Sequence, residues 1–165
     1  MTENDDDLYY HSELETAVIQ NDGERFEALA EEANLHGRSD NGSTLLHKAA
    51  SVGETEMVQR LIDRGIDTDI QNEGGKTALH VAVDNGHTEA GETLVTNGAA
   101  LNIQDNSGAV PLFKLVYRND VELAQLMIEN GADPTIESNG GVSPLDIATE
   151  IDADDMVEIL RQNPS

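Results

Sequence analysis

The sequence predicts an all-α fold, a solenoid of stacked helix–turn–helix units whose connecting turns project as tips. The first observation is a period, because three series of landmarks recur at intervals of 33 residues. The series are the unit starts 44, 77, 110 and 143, the glycines two residues before them (Gly42, Gly75, Gly108, Gly141), and Gly65, Gly98 and Gly131. The second observation is a helix-start signal followed by apolar residues at i, i+3 and i+4 within each unit. Neither helix of a unit can bury its apolar face alone, so neighbouring units must stack.

Each unit begins with a turn and a short first helix. The stretch Asp105–Gly108 is typical of the turn, where glycine takes the positive φ that a tight turn needs. Thr44, Thr77 and Ser143 stand at the helix start, where a hydroxyl can accept hydrogen bonds from unpaired backbone N–H groups. The first helical position of the last two units holds Pro111 and Pro144. We expect first helices of about eight residues.

A second helix completes each unit. Gly53, Gly86 and Asn119 are predicted to end the first helices, since glycine and asparagine tolerate the left-handed conformation. The apolar spacing of the second helix is seen in Met57, Val58, Leu61 and Ile62, and again in Val121, Leu123, Leu126 and Met127. The second helices are then predicted to end at Gly65, Gly98 and Gly131.

Two short motifs carry a family resemblance. Thr44–Ala49 reads TLLHKA, Thr77–Ala82 reads TALHVA, and Gly131–Asp133 reads GAD. These runs resemble the T-P-L-H-x-A signature and the G-A-D ending of the ankyrin repeat family. The signature degenerates to VPLF from Val110 and to SPLD from Ser143. The resemblance implies an ankyrin-repeat solenoid over residues 40–162.

The period and the resemblance divide the chain into six segments. They are an acidic tail expected to be disordered (1–11), a degenerate N-terminal capping repeat (12–38), three repeats (39–71, 72–104 and 105–137) and a C-terminal capping repeat (138–165). The N-terminal repeat fits only with a one-residue slip. That slip aligns Asn21 with Gly53, Phe26 with Val58 and Leu29 with Leu61.

The charge balance limits the classes of partner. Nine Lys and Arg residues against 33 Asp and Glu residues give a net charge of −24. Nucleic acid and anionic membranes need a basic patch, so we expect neither as a partner. We expect a protein partner with a basic patch. The acidic residues occur in tips, second helices and both caps, which also fits a general adaptation to high salt and so a halophilic source.

The sequence gives little support for a nucleotide-binding, metal-binding or catalytic site. Gly74–Thr77 resembles the end of a phosphate-binding loop, but Ile70 stands where that loop needs glycine. His47 and His80 occupy equivalent positions and could stack as metal ligands, but Phe113 breaks the series. In the family this histidine is usually structural. The chain has no cysteine, and no catalytic motif is present. We therefore expect no metal, no cofactor and no enzyme activity.

The resemblance implies that a partner contacts the turn tips and the concave surface of the first helices. The residues carried over for the tips are Asp40, Glu73, Lys76 and Asn106, and those for the concave surface are Ser51, Asp84, Asn85, Tyr117 and Arg118. Tyr117 and Arg118 stand out, because tyrosine and arginine are enriched at binding hot spots. The alternative is that Tyr117 packs on its neighbours and Arg118 pairs with local acids.

The predicted function is non-catalytic protein binding, as an adaptor, inhibitor or regulatory subunit. The alternative is an immunity-type neutraliser or nucleic-acid mimic that blocks a basic protein. An enzyme is the least favoured of the three interpretations. The first residues show no basic region or apolar stretch, and no run of the chain is apolar enough to span a membrane, so we expect a cytoplasmic protein. We also expect it to be a monomer.

Overall fold

A computed structural model describes residues 13–31 and 33–162. The predicted acidic tail at 1–11 and the last three residues of the C-terminal cap lie outside these residues. In the described part of the chain there are ten helices and no strand, which confirms the all-α prediction. The helices are α1 (13–19), α2 (Gly23–Ala30), α3 (Leu45–Val52), α4 (Thr55–Asp63), α5 (Ala78–Asn85), α6 (Thr88–Thr96), α7 (Pro111–Arg118), α8 (Val121–Glu129), α9 (Pro144–Glu150) and α10 (Asp154–Leu160).

The helices form two layers. The first helices pack on one another in series, α3 against α5, α5 against α7 and α7 against α9. The second helices do the same, α4 against α6, α6 against α8 and α8 against α10. Each consecutive pair, from α1 and α2 to α9 and α10, falls inside one of the predicted units, whose boundaries stay predictions. The result is a solenoid with a first-helix layer and a second-helix layer.

The first helices start and end as their residues predict. The Thr44, Thr77 and Ser143 hydroxyls accept from the backbone N–H three residues later, and Pro111 and Pro144 begin α7 and α9. Val110, the N-cap residue of α7, gives no side-chain cap because it has no hydroxyl.

A left-handed residue follows the first helix in all five units. Gly53 and Gly86 have φ values of 76° and 78° there. The described residues other than glycine with positive φ are Asn21, Asn119 and Asp152, and all three occupy this same position. Asn21 and Asn119 agree with the sequence alignment, whereas Asp152 carried no signal that sequence analysis used. The connection between the two helices therefore has the same backbone form from one end of the solenoid to the other.

The core is built from small and aliphatic side chains between the layers. Leu46, Leu79 and Leu112 recur at 33-residue spacing and are 1%, 0% and 0% exposed. Phe26 is fully buried in the N-terminal unit, as its alignment with Val58 predicts.

Burial differs at one aligned position of the N-terminal unit. Leu29 was aligned with the fully buried Leu61, but Leu29 is only partly buried and Ala30 is buried instead. An end helix has a neighbouring unit on one side only, so fewer of its apolar residues can be covered.

Salt bridges and an aromatic contact join the N-terminal unit to the next. Arg60 on α4 binds Glu27 on α2 at 3.1 Å and Glu56 on its own helix at 2.7 Å. Arg64 also pairs with Glu27 and lies 5.6 Å from the centre of the Phe26 ring. Two of the six arginines are thus used to hold the cap.

Candidate protein-binding surface

The turns that carry the predicted tip residues are linked by buried histidines. Nδ1 of His47 accepts from the Thr44 N–H at 3.1 Å, so Nε2 carries the proton and donates to the Lys76 carbonyl at 2.9 Å. His80 repeats the arrangement, with Thr77 at 3.2 Å and Ala109 at 3.1 Å. Burial lowers the pKa of both histidines from the ordinary value, which favours the neutral form these bonds require.

Side-chain amides add a second set of links between turns. Gln71 Nε2 donates to the carbonyl of Gly75 in its own turn and to that of Gln104 one unit further on. Gln104 repeats both bonds with Gly108 and Glu137. The turns are therefore fixed relative to one another before any ligand binds, which reduces the ordering entropy that would oppose binding.

The amide of Asn106 takes part in the same linkage. Asn106 was predicted to contact a partner, but its Nδ2 donates to the Glu73 carbonyl at 2.7 Å, and Asn139 donates in turn to the Asn106 carbonyl at 3.0 Å. The carboxylate of Glu73 is left exposed at the tip. The Asn106 amide is thus engaged in a structural hydrogen bond, whereas the Glu73 carboxylate is exposed and available to a partner.

The outward positions at the end of the first helices form a separate surface, which we call the inner face. It consists of the two register rows 51, 84, 117, 150 and 52, 85, 118, 151. Four large apolar side chains are exposed in the described residues, namely Val52 (37%), Tyr117 (65%), Ile151 (48%) and Ile19 (39%). Three lie in these rows, and Ile19 corresponds to Ser51 under the one-residue slip of the N-terminal unit. Exposed apolar surface is thus concentrated on the inner face.

Tyr117 and Arg118 end α7 in the centre of this face. Both are exposed, and within the described residues neither side chain makes a hydrogen bond or ion pair. The Arg118 guanidinium lies against Gly86, where an added Cβ would be 1.9 Å from Nη2. The alternative, in which Arg118 pairs with local acids, has no ion pair to support it in this part of the chain.

Two other predicted contact residues bind each other. The Lys76 ammonium pairs with the Asp84 carboxylate, and both side chains are about one-third exposed, at 38% and 32%. The Asn85 amide next to them donates to the Val81 carbonyl of its own helix at 2.8 Å. The sequence places these residues on one surface, and the structure shows that the charges of Lys76 and Asp84 offset each other there.

An open groove lies beside the first of the tips. It encloses about 530 Å³ and is lined by residues that include Asp40, Ser51, Lys48 and Glu15, so it brings a predicted tip residue and a predicted concave residue together. Lys48 approaches Glu15 at 3.9 Å across it. The Ser51 hydroxyl donates to the Lys48 carbonyl at 2.7 Å.

Within the three central repeats, charge is distributed unevenly between the two layers, which sequence analysis missed. The first helices α3, α5 and α7 carry three cations, Lys48, Lys114 and Arg118, against the single carboxylate of Asp84. The second helices α4, α6 and α8 carry one cation, Arg60, against six carboxylates, Glu56, Asp63, Glu89, Glu92, Glu122 and Glu129. The 33-residue register together with the sign of each charged residue could have revealed this difference.

No group of three or more His, Cys, Asp or Glu side chains in residues 13–31 and 33–162 is arranged to hold a metal ion. Over the same residues no helix is long and apolar enough to cross a membrane.

Family comparison agrees with this geometry. A family model described as ankyrin repeats (3 copies) matches residues 14–105, and a second, described as ankyrin repeats (many copies), matches residues 94–148. The chain belongs to the ankyrin repeat family. Ankyrin repeats are in general modules for binding other proteins, and proteins made of them are typically non-catalytic. The family resemblance given by the TLLHKA and TALHVA motifs is thereby confirmed.

Ankyrin repeats explain why the predicted site residues fall into two groups. Asp40, Glu73 and Lys76 lie on turns, whereas Tyr117 and Arg118 end a first helix. The sequence-based prediction omitted Lys114, which is exposed on α7 one turn before Tyr117 and Arg118. Its spacing of three and four residues from them was the signal that could have found it.

Proposed function

We propose that this ankyrin repeat chain binds another protein through its inner face and turn tips and catalyses no reaction on it. The observation that carries the proposal is the position of the exposed apolar side chains. Val52, Tyr117 and Ile151 occupy the two inner-face rows, and single-sided exposure of apolar groups marks an interaction surface.

The rigidity of the turns supports the same role. Buried histidines and side-chain amides fix each turn to the next, so the surface is preformed. A preformed surface loses little conformational entropy on binding, and Tyr117 can present a large apolar area with few rotatable bonds. An adaptor, an inhibitor and a regulatory subunit would all use such a surface.

The predicted basic patch on the partner rests on the net charge of −24 alone. The neutraliser and nucleic-acid-mimic alternatives rest on the same number. Cytoplasmic location, a monomeric state and a halophilic source likewise stay predictions.

Site-specific photocrosslinking tests which face is used. A photoreactive phenylalanine analogue would replace Tyr117 on α7 or, as the matched control, exposed Glu122 on α8 of the same repeat. Irradiation in native lysate at matched salt should give a discrete adduct from position 117 and not from position 122.

Alanine variants complete the test. Introducing Arg118→Ala beside the crosslinker should reduce the adduct, whereas Arg161→Ala, which removes an exposed arginine from the end of α10, should leave it unchanged. Equal adducts from both faces, or an adduct insensitive to Arg118→Ala, would refute the assignment of the inner face.

A further inference from the structure

The lysines of this chain are confined to the side of the molecule that carries the proposed binding surface. Lys48 and Lys114 lie on first helices and Lys76 lies in a turn, while no lysine occurs on a second helix. Lys76 is neutralised by Asp84, and Lys48 has Glu15 at 3.9 Å. Lys114 has no ion-pair partner among the described residues.

Lys114, Tyr117 and Arg118 form one patch on α7. Their spacing of i, i+3 and i+4 places them on the same face of the helix, and all three are exposed. We call these three residues the α7 patch. It carries two positive charges around an aromatic ring that is 65% exposed.

The Arg118 guanidinium is held in place by packing and binds no carboxylate among the described residues. It packs against Gly86, which is the C-cap of α5, and the negative end of that helix dipole favours a cation there. By contrast, the guanidinium of Arg60 binds two carboxylates. Arg118 therefore keeps its N–H donors for a ligand, and a planar guanidinium binds a carboxylate through two parallel hydrogen bonds.

The apolar surroundings indicate what accompanies the carboxylate. Val81, partly buried, stands one unit before Lys114, and exposed Ile151 stands one unit after Arg118. Of the two carboxylates that flank Tyr117 in its row, Asp84 is paired with Lys76 and Glu150 is exposed. With Tyr117 between the two cations, an apolar or aromatic side chain of the ligand would find a surface beside the charged groups.

We propose that the α7 patch binds a segment of a partner protein in which an Asp or Glu carboxylate lies next to an aromatic or large apolar side chain. This inference rests on the proposed function and reverses the expected charge of the partner at the site of contact. A basic segment would meet two uncompensated cations there.

A protein segment fits better than nucleic acid. A long polyanion would extend over the acidic second helices and tips, where the net charge of −24 repels it. A short segment responds mainly to charges within the Debye length, about 8 Å at physiological salt. One or two carboxylates can therefore be attracted by Lys114 and Arg118 on a strongly acidic protein.

Selection from a random 12-residue peptide library displayed on phage tests the proposal on the full chain. Selected peptides should be enriched in Asp or Glu adjacent to an aromatic or large apolar residue. Their affinity is then measured by fluorescence anisotropy with synthetic peptides. Changing the peptide carboxylate to its amide should weaken binding to the wild-type chain about tenfold.

A double-mutant cycle assigns the contact. In the Lys114→Gln, Arg118→Gln variant, the same peptide change should alter binding less than about twofold, because its partners are already gone. Arg161→Gln serves as the matched control and should behave as the wild type. Helical circular dichroism of each variant checks folding, and the exposure of all three side chains predicts no loss.

The outcomes separate the two proposals. Peptides that depend on Tyr117 but are enriched in Lys or Arg would overturn the inferred charge and leave the inner face as the binding surface. Acidic peptides whose affinity is the same in the double variant would also overturn it. Peptides insensitive to Tyr117→Ala, Lys114→Gln and Arg118→Gln alike would overturn the proposed function itself.

Discussion

Lowering the pH from 7.5 to 5.5 should destabilise the fold through its two buried histidines. Burial lowers the pKa of His47 and His80 in the folded chain, while in the unfolded chain each titrates near its ordinary value of about 6.5. Below about pH 6.5 the unfolded state therefore binds more protons than the folded state, so the free energy of unfolding decreases as the pH falls. Above that pH both states are neutral at these positions, and the contribution is constant.

The size of the effect follows from one proton per histidine. A histidine that stays neutral in the folded state gives a limiting slope of about 1.4 kcal/mol per pH unit. Between pH 7.5 and 5.5 the loss is therefore at most about 1.4 kcal/mol for each histidine, because the unfolded histidine is half protonated only at pH 6.5. Titrating carboxylates also change the total, and the Glu92 pKa, raised by burial and by nearby acids, contributes in the opposite direction.

Urea denaturation at several pH values, with His80→Phe as the variant, isolates the histidine contribution. Phenylalanine is the natural occupant of the equivalent position in the next repeat, Phe113. The substitution leaves the Thr77 N–H unpaired and should cost about 1–3 kcal/mol at pH 7.5. The cost should be smaller at pH 5.5, because the wild type loses the His80 contribution there. The difference in pH slope between wild type and variant cancels the carboxylates common to both.

We expect His80→Phe to remove about half of the histidine-dependent loss. Equal pH slopes in wild type and His80→Phe would refute the reasoning, since His80 would then bind its proton in the folded state.

Three further predictions concern strain, packing and salt. Gly98→Ala should lower the free energy of unfolding by about 1 kcal/mol from backbone strain alone, because φ is 84° and no described atom lies within 4 Å of the new Cβ. Gly86→Ala should lower it at least as much and should also displace the Arg118 guanidinium. Acidic peptides should then bind this variant more weakly in the anisotropy assay. Phe26→Ala should lower the free energy of unfolding by about 3–5 kcal/mol, and a loss below 1 kcal/mol would contradict a packed N-terminal cap. Glu92→Gln should stabilise the fold by about 0.5 kcal/mol at millimolar salt and by less at 1 M, because it removes repulsion from nearby acids that salt screens. The helical circular dichroism of the wild type should decline as salt falls from molar to millimolar. Stability that does not depend on salt would exclude the high-salt adaptation.

The repeat period predicted most of the fold because backbone conformation leaves a direct mark on residue type. A left-handed position selects glycine or asparagine, so Gly53, Gly86 and Asn119 marked helix ends without any structure. Asp152 occupies the same conformation without a distinctive residue type and was missed. Leu29 is less buried than its aligned partner Leu61, because burial at an end unit depends on which side has a neighbour.

Less of the candidate binding surface than of the fold could be predicted from the sequence. Register alone placed Lys76 and Asp84 on the same side of the molecule, but their ion pair depends on side-chain conformation. The position of the Arg118 guanidinium over Gly86 depends on the spacing between repeats. Total charge also concealed the local excess of cations on the first helices of the three central repeats, α3, α5 and α7. These properties arise from packing across units, which a one-dimensional pattern does not contain.

The amide ladder of Gln71 and Gln104 makes the length of the molecule adjustable. Each glutamine binds its own turn and the residue 33 positions later, so every link joins equivalent sites. A copy of residues 72–104 inserted in register would bring donors and acceptors that match those already present. Arg38 and Glu137 hold the equivalent positions before and after the ladder and lack a carboxamide. Gene duplication could therefore extend the array from within, while the two ends remain as they are.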